Sequence, residues 1–409
     1  MALISVTELQ QLIADTLSAR RRTPERENIA LLQANNRVLA RDIQAGINIP
    51  AADVSAMDGY ALPAAARAGS RWRIIGESAA GHAFSGDIPA DGCIRIMTGA
   101  VVPDGCRCVV MQENTESGEG ILTVTQDTAE GSNIRRAGEE VASGDTVLSA
   151  GRILRDADIM LLAALGFHAI PVWRKITVAV LSTGDELREP GTPLTSPEQI
   201  YDSNRHTLLA RLSRLPVDTI DLGQAPDDPG QLEALLTQAA AQADVIITSG
   251  GVSVGDYDYL RDAVDHIGTI HHYKVAMKPG KPFVFGSLSE SCWYFGLPGN
   301  PVSGFAGFDI FLKPALWSLA GADPVPEPLR FSAILTQPVK KSPGRADMQR
   351  ALIRRDEAGN WLAEPAGEQD SHRVLGVSRA NAYLVLPSES GPLPAGATVL
   401  VQPFTEAFL

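Results

Sequence analysis

Residues Thr248 to Leu260 read TSGGVSVGDYDYL, Lys274 to Phe283 read KVAMKPGKPF, and Gly296 to Ser303 read GLPGNPVS. Each glycine-rich turn follows an apolar run of strand length, which places the turns at one edge of an α/β sheet, where such sheets bind ligands. Val245, Ile246 and Ile247 read as the buried strand before the first turn. Gly250, Gly251 and Gly255 let backbone approach an anion closely before Asp256 starts a helix carried by Tyr259, Leu260, Ala263, Val264 and Ile267. Lys274, Lys278 and Lys281 bracket a rigid Pro-Gly turn between apolar strands, where a surface loop gains little from two long cations. Asn300 is a suitable N-cap and Pro301 a suitable first helical residue. Lysines, free backbone N–H groups and acidic side chains together suit a phosphorylated ligand.

Around this stretch, residues 175–323 alternate strand and helix: Ile176 to Leu181, Ser203 to Leu215, Asp218 to Leu222, Pro229 to Ala241, Val245 to Ile247. Alternation of this kind predicts a parallel or mixed sheet with helices on both faces, a three-layer α/β domain. A proline-rich linker (Pro324, Pro326, Pro328) separates it from a small β domain with strands expected at Phe331 to Val339, Gln349 to Arg354, Trp361 to Glu364 and Tyr383 to Leu386. Upstream, residues 1–45 read as helical, opening with a Ser5–Glu8 capping box before Leu9, Leu12, Ile13 and Leu17, so a signal peptide is not expected there. Arg155 to Leu165 reads as a further helix. Between them, residues 46–140 alternate short apolar runs with Gly, Pro and Asp, as a β-rich insertion would.

With 409 residues the chain exceeds what one core supports, so two to four domains are expected. Its formal charge of −13 argues against nucleic-acid binding and requires any anion site to invert the field locally. The apolar run Ile159 to Phe167 is too short to span a membrane. The four cysteines (Cys93, Cys106, Cys108, Cys292) form neither a disulfide framework nor a paired zinc pattern and read as buried thiols of a cytoplasmic protein.

Several residues have bland and functional readings side by side. Asp185 and Glu186 follow a strand and could hold Mg2+, which prefers oxygen ligands; alternatively Asp185 caps a turn and Glu186 is solvated. Asp256 and Asp258 both sit where a helix start favours negative charge, and one cap suffices. Asp228 before Pro229 is a natural N-cap. Asp58-Gly59 could be a hairpin tip, although Ala56, Met57 and Tyr60 are apolar for that role.

SAMDGYA (Ser55 to Ala61), RIMTGA (Arg95 to Ala100), STGDEL (Ser182 to Leu187) and SNR (Ser203 to Arg205), in this order with the three turns, resemble the MoeA family of molybdopterin molybdenumtransferases over essentially the whole chain. The resemblance implies a helical first domain, discontinuous over residues 1–45 and 141–174, interrupted by the β domain 46–140, then the α/β domain 175–323 and a barrel-like β domain 329–409. It implies a homodimer whose sites are shared across the interface, supplied by an upstream molybdopterin adenylyltransferase. Adenylylated molybdopterin and molybdate would be the substrates, with Mg2+ on Asp185, Glu186 and Asp258. Asp58, Thr98, Glu140, Glu186, Asp228, Asp258, Lys274 and Lys278 would be catalytic, Asp228 being equally plausible as a cap. Ser249, Gly250, Gly251, Pro298 and Pro301 would contact substrate, and Lys281, Ser303, Arg350 and Ser371 would form the molybdate pocket. Two departures stand out: Val54 replaces an asparagine, and Glu140 replaces an aspartate. The alternatives are a pyrophosphate hydrolase of the same superfamily and a non-catalytic scaffold.

Overall fold

Strand β1 (Ile176–Thr183) is buried along nearly its whole length, because both of its faces are covered. Its even-numbered residues Ile176, Val178 and Val180 pack with Leu9, Ile13 and Leu17 of helix α1 (Val6–Ala19) and with Leu208 and Leu212 of α2 (Ser203–Leu212). Ala179 and Leu181 face the other way, against Leu232 and Leu236 of α3 (Pro229–Ala240) and Leu260 and Val264 of α4 (Tyr259–Ile267). Period-two alternation on a doubly covered strand thus builds three layers. The remaining strands are β2 (Val217–Ala225), β3 (Val245–Ser249), β4 (Thr269–Lys274), β5 (Pro282–Ser287) and β6 (Trp293–Leu297), in the spatial order β2-β1-β3-β6-β5-β4. The first four in that order run parallel; β5 and β4 are successively antiparallel.

This computed structural model describes residues 3–20, 25–251 and 259–404. The chain forms two units, one of Met1–Ala40, Gly151–Arg155 and Ala169–Leu409, the other of Arg41–Ala150 and Asp156–His168. In the first unit the capping box is present: Glu8 N donates to Ser5 Oγ (3.1 Å) and Ser5 N to Glu8 Oε2 (2.7 Å). The amino-terminal segment adds a strand to its helix, since Arg26–Ala30 pairs with Ala169–Trp173. That partner lies some 140 residues away, too far for periodicity to reveal.

The carboxyl-terminal part closes into a barrel of β7 (Phe331–Leu335), β8 (Ala346–Arg355), β9 (Trp361–Pro365), β10 (Ala382–Leu386) and β11 (Thr398–Pro403), each paired with two others in the ring. Strand β11 was not among the expected ones. Its alternation of exposed and buried residues emerges only in the fold, since Val399, Leu400 and Val401 are all apolar in sequence. A helix Pro301–Gly307 passes through a π-helical turn, Phe308–Leu312, in which the buried Asp309 accepts from the Tyr383 hydroxyl of β10 (3.0 Å) and pairs with Arg211 of α2. Burial, and then the neighbouring Asp309 charge, push the Tyr383 phenol well above its ordinary range, so it stays a donor.

The second unit is centred on a six-stranded sheet in the order Cys108–Met111, Gly59–Leu62, Gly92–Ile96, Arg71–Ser78, Ile121–Val124, Thr115–Gly118. Gly59 opens a fully buried strand and is not a hairpin tip. A Cβ there would lie 1.9 Å from Val110 O, so only glycine fits so close a pairing. Burial pushes Cys93 up to about 12 and Cys106 and Cys108 to about 11, in keeping with unreactive thiols. Among the described residues no helix is long and apolar enough to cross a membrane.

Replacing Tyr383 by Phe removes a buried hydrogen bond to a charged acceptor. The expected loss is about 1.5–3 kcal/mol, read as a lowered urea midpoint at unchanged m-value.

Candidate active site

The direction of each strand decides which side chains meet. Strands β1, β2, β3 and β6 are parallel, and β4, antiparallel to an antiparallel strand, runs with them. Their carboxyl ends, together with the start of β5, therefore share one edge of the sheet. The register keeps those ends level: Thr183 lies opposite Ala225, Ser182 opposite Ser249, Ser249 opposite Leu297 and Lys274 opposite Pro282. Onto this edge project Asp185 and Glu186 after β1, Asp227 and Asp228 after β2, Gly250 and Gly251 after β3, Pro298 after β6, and the three lysines around the β4–β5 connection.

The acidic side divides its labour. Asp228 caps α3, its carboxylate accepting from Gln231 N at 2.8 Å. Asp227 instead donates its backbone N–H to Asp185 Oδ1 (3.4 Å), and burial, followed by the charges of Asp185 and Glu186, pushes its carboxyl up. Asp227 is thus tied to Asp185 through its backbone, while the observed role of Asp228 is the cap. The sequence showed two adjacent aspartates; only the chain's path after β2 separates their roles. Carboxylate oxygens are the hard donors a divalent cation prefers, and here Arg188 Nη1 also reaches the Asp185 carbonyl (2.8 Å). Asp258 and Asp256 lie outside the described residues, and among those described no group of three potential ligands is arranged around a metal position.

The glycine-rich turns are tied together by Asn204, a residue to which sequence reading gave no role despite the SNR motif. Its Nδ2 donates to Ser249 Oγ (2.7 Å) and Gly299 O (2.8 Å), joining the ends of β3 and β6 to α2. Arg205, next to it, is buried and pairs with Asp202 (3.0 Å), Asp221 (2.5 Å) and Glu189, which staples the segment after Glu186 to α2 and β2. A crevice beside these groups is lined by Asn204, Ser249, Leu297 and Pro301. Asn300 occupies the N-cap position, but its side chain makes no capping bond; its carbonyl accepts from Ser303 N and Gly304 N.

On the basic side, Lys278 and Lys281 are exposed and Lys274 is half-buried, its Nζ 4.8 Å from the Tyr273 ring. Lys278 lies in register with the buried Asp347 of β8, whose carboxyl is pushed up by burial. The Lys278–Lys281 turn abuts the helix Pro301–Gly307, a Cβ on Gly280 falling 3.8 Å from Ser303 Cβ. Ser371 reaches the same place, since its carbonyl accepts from Val302 N at 3.2 Å. The turn carrying Lys281, the buried Ser303 and the Ser371 backbone are thus neighbours. Arg350 is not presented there. It is 1 % exposed, and its guanidinium donates to Arg373 O (2.9 Å), Glu368 O (2.7 Å) and Gln369 Oε1 (3.3 Å), building the loop that carries Ser371. A strand arginine with so many nearby carbonyls stays inside, because each one satisfies a donor that would otherwise be buried bare.

In the other unit, Asp58 Oδ1 accepts from both Thr98 N (2.7 Å) and Thr98 Oγ1 (2.8 Å), which draws two distant motifs together. The Thr98 amide, and next its hydroxyl, hold the Asp58 carboxyl below the usual range, so it is ionised at neutral pH. Glu140 stands exposed on a separate loop, ordered by Asp53, which accepts from Arg136 Nη1 (2.5 Å) and Ala137 N (2.9 Å). Val54, at the first departure, pairs with Arg135 through the backbone.

Three family profiles match in chain order: the MoeA N-terminal region (domain I and II) at residues 4–166, a probable molybdopterin binding domain at 179–317, and the MoeA C-terminal region (domain IV) at 332–404. A protein of Haemophilus influenzae named molybdopterin molybdenumtransferase is 42% identical over 380 residues, covering 92% of this chain and 94% of its own. One of the same name from Bacillus subtilis is 33% identical over 390 residues, covering 92% and 89%. Among solved structures, the molybdopterin biosynthesis moeA protein of Pyrococcus horikoshii superposes with a TM-score of 0.82 at 27% identity, over 98% of this chain and all of that one. With fold, motif order and full-length likeness in agreement, the chain belongs to the MoeA family.

Proposed function

We propose that this protein is a molybdopterin molybdenumtransferase that takes adenylylated molybdopterin and molybdate, inserts the metal into the dithiolene and releases AMP. The observation that carries this reading is the placement, along one edge of the sheet, of an acidic group (Asp185, Glu186, Asp227) after its first two strands and a basic one (Lys274, Lys278, Lys281) at its last two, with the glycine-rich turns between them. Neither group alone suits a phosphoanhydride; together they suit one whose charges are held from both sides. Lys274 and Lys278 balance phosphate charge as point cations. Ser249 and the Gly250–Gly251 backbone offer close approach, with Pro298 and Pro301 shaping the adjoining wall. Asp185 and Glu186, with Asp227 beside them and Asp258 as a further ligand, would hold Mg2+, which when bound polarises a phosphate oxygen. Lys281, Ser303 and Ser371 present a cation and two hydroxyls to a small tetrahedral oxyanion such as molybdate, with Arg350 shaping the loop behind them. Asp58, kept anionic by Thr98, orients a substrate donor, and Glu140 serves the same substrate from its own loop. We take the working form to be a homodimer with shared sites, as the family resemblance implies, fed in the cytoplasm by a molybdopterin adenylyltransferase.

A homodimer should sediment at twice the chain mass at low micromolar concentration; a fully active monomer would rule out shared sites. Asp227→Asn should weaken Mg2+ dependence of adenylate cleavage about 10–100-fold, whereas Asp228→Ala should cost about 1 kcal/mol of stability through the lost cap and leave cleavage unchanged. The reverse pattern in cleavage assays would reassign the two aspartates. Ser371→Ala should lower molybdate affinity about tenfold, as loss of one hydrogen bond to a charged group does, without altering binding of the pterin adenylate. Calorimetric titration of both ligands separates these effects.

A further inference from the structure

Buried polar side-chain atoms are almost always hydrogen-bonded in native proteins, so one that is not points to a partner that arrives later. Among the described residues three such atoms lack a partner, and two are neighbours at the carboxyl end of β1: Ser182 Oγ and Thr183 Oγ1. Strand alternation sends them to opposite faces. Thr183 continues the Ala179 and Leu181 side and is 4 % exposed. Directly against it lies the first glycine-rich turn. A Cβ on Gly250 or on Gly251 would stand 3.0 Å from Thr183 Oγ1, and both glycines have positive φ, +94° and +63°. The turn therefore lies close on the hydroxyl, and side chains are excluded there by the Thr183 carbonyl oxygen, 2.5 Å from a Cβ on Gly250, and by Leu260 Cβ, 2.7 Å from one on Gly251. Gly250 N donates elsewhere, to Leu297 O (3.1 Å), and the hydroxyl has no bond. On its other side Thr183 leads straight into Gly184, Asp185 and Glu186.

We propose that Thr183 is a positioning residue whose hydroxyl bonds the Gly250–Gly251 backbone only when a phosphorylated ligand is seated on that turn. The proposal rests on the nucleotide chemistry given above for the same edge. In the ligand-free protein the bare hydroxyl is a burden. In the bound protein it fixes the turn between the phosphate and the Asp185–Glu186 loop. Stability and affinity therefore depend on this one atom with opposite signs, which a purely structural threonine would not produce.

The test is Thr183→Val, which keeps the shape and removes the hydroxyl, beside Thr183→Ser, which keeps the hydroxyl. The full-length protein is titrated calorimetrically with AMP in the presence of Mg2+, and its thermal unfolding is followed without ligand. The valine variant is expected to bind AMP about tenfold more weakly and to melt about 1–2 °C higher when free, and the serine variant to bind as the wild type does. Valine binding equal to the wild type overturns the role of Thr183 alone. So does a valine variant that melts lower, or an equal loss of affinity in both variants, which would place the effect in side-chain packing. A wild-type protein that fails to bind AMP would overturn the nucleotide reading and this proposal with it.

Discussion

The level register of the central sheet is the constraint on which the rest of the molecule depends. Ser182, Ser249 and Leu297 lie side by side across β1, β3 and β6, and Thr183 lies opposite Ala225. Both faces of these strands are buried, so a slip of one residue would exchange the two apolar sets and expose them to the wrong helices. It would also turn Ser249 away from Asn204 and end the connection between the turns after β3 and β6. The core's packing thereby sets the placement of polar groups at the edge.

The second theme is where the charges are used. Asp244 is held by Arg174 through paired bonds of 2.7 and 2.8 Å at the opposite end of the strands, and Asp202, Asp221 and Glu189 surround Arg205. These acids are spent on structure. Asp185, Glu186 and Asp227 have no salt bridge among the described residues, and neither have Lys274, Lys278 and Lys281. Asp185, Glu186, Asp227, Lys278 and Lys281 are exposed, so leaving them unpaired costs little and keeps both signs available to a ligand. In a chain of net charge −13, the three lysines also supply the local reversal of field that an anion needs.

Arg350 shows how a residue of the right type can serve a site from behind. Its donors hold carbonyls of residues 368 and 373, and the loop so formed sets Ser371 against Val302. The π-helical turn works in a similar way, placing Asp309 between Arg211 of α2 and Tyr383 of the barrel. Each ties the barrel to the α/β layers, so the grouping of the Lys281 turn, Ser303 and the Ser371 backbone draws on two folded pieces.

The sequence by itself determined the alternation of strand and helix over residues 175–323, the positions of the glycine-rich turns after strands and the capping box at Ser5, and it left Asp228 open between cap and site. These follow from local propensity and periodicity, which act over a few residues and are legible in a linear string. Tertiary structure alone decided which of Asp227 and Asp228 meets Asp185, that Arg350 turns inward, that Gly59 opens a buried strand, and that Asn204 spans two turns. Arg26–Ala30 and Thr398–Pro403 likewise became strands only through distant partners. In each case the deciding quantity is a distance between residues far apart in the chain, set by burial and register, and no spacing along the sequence encodes it directly.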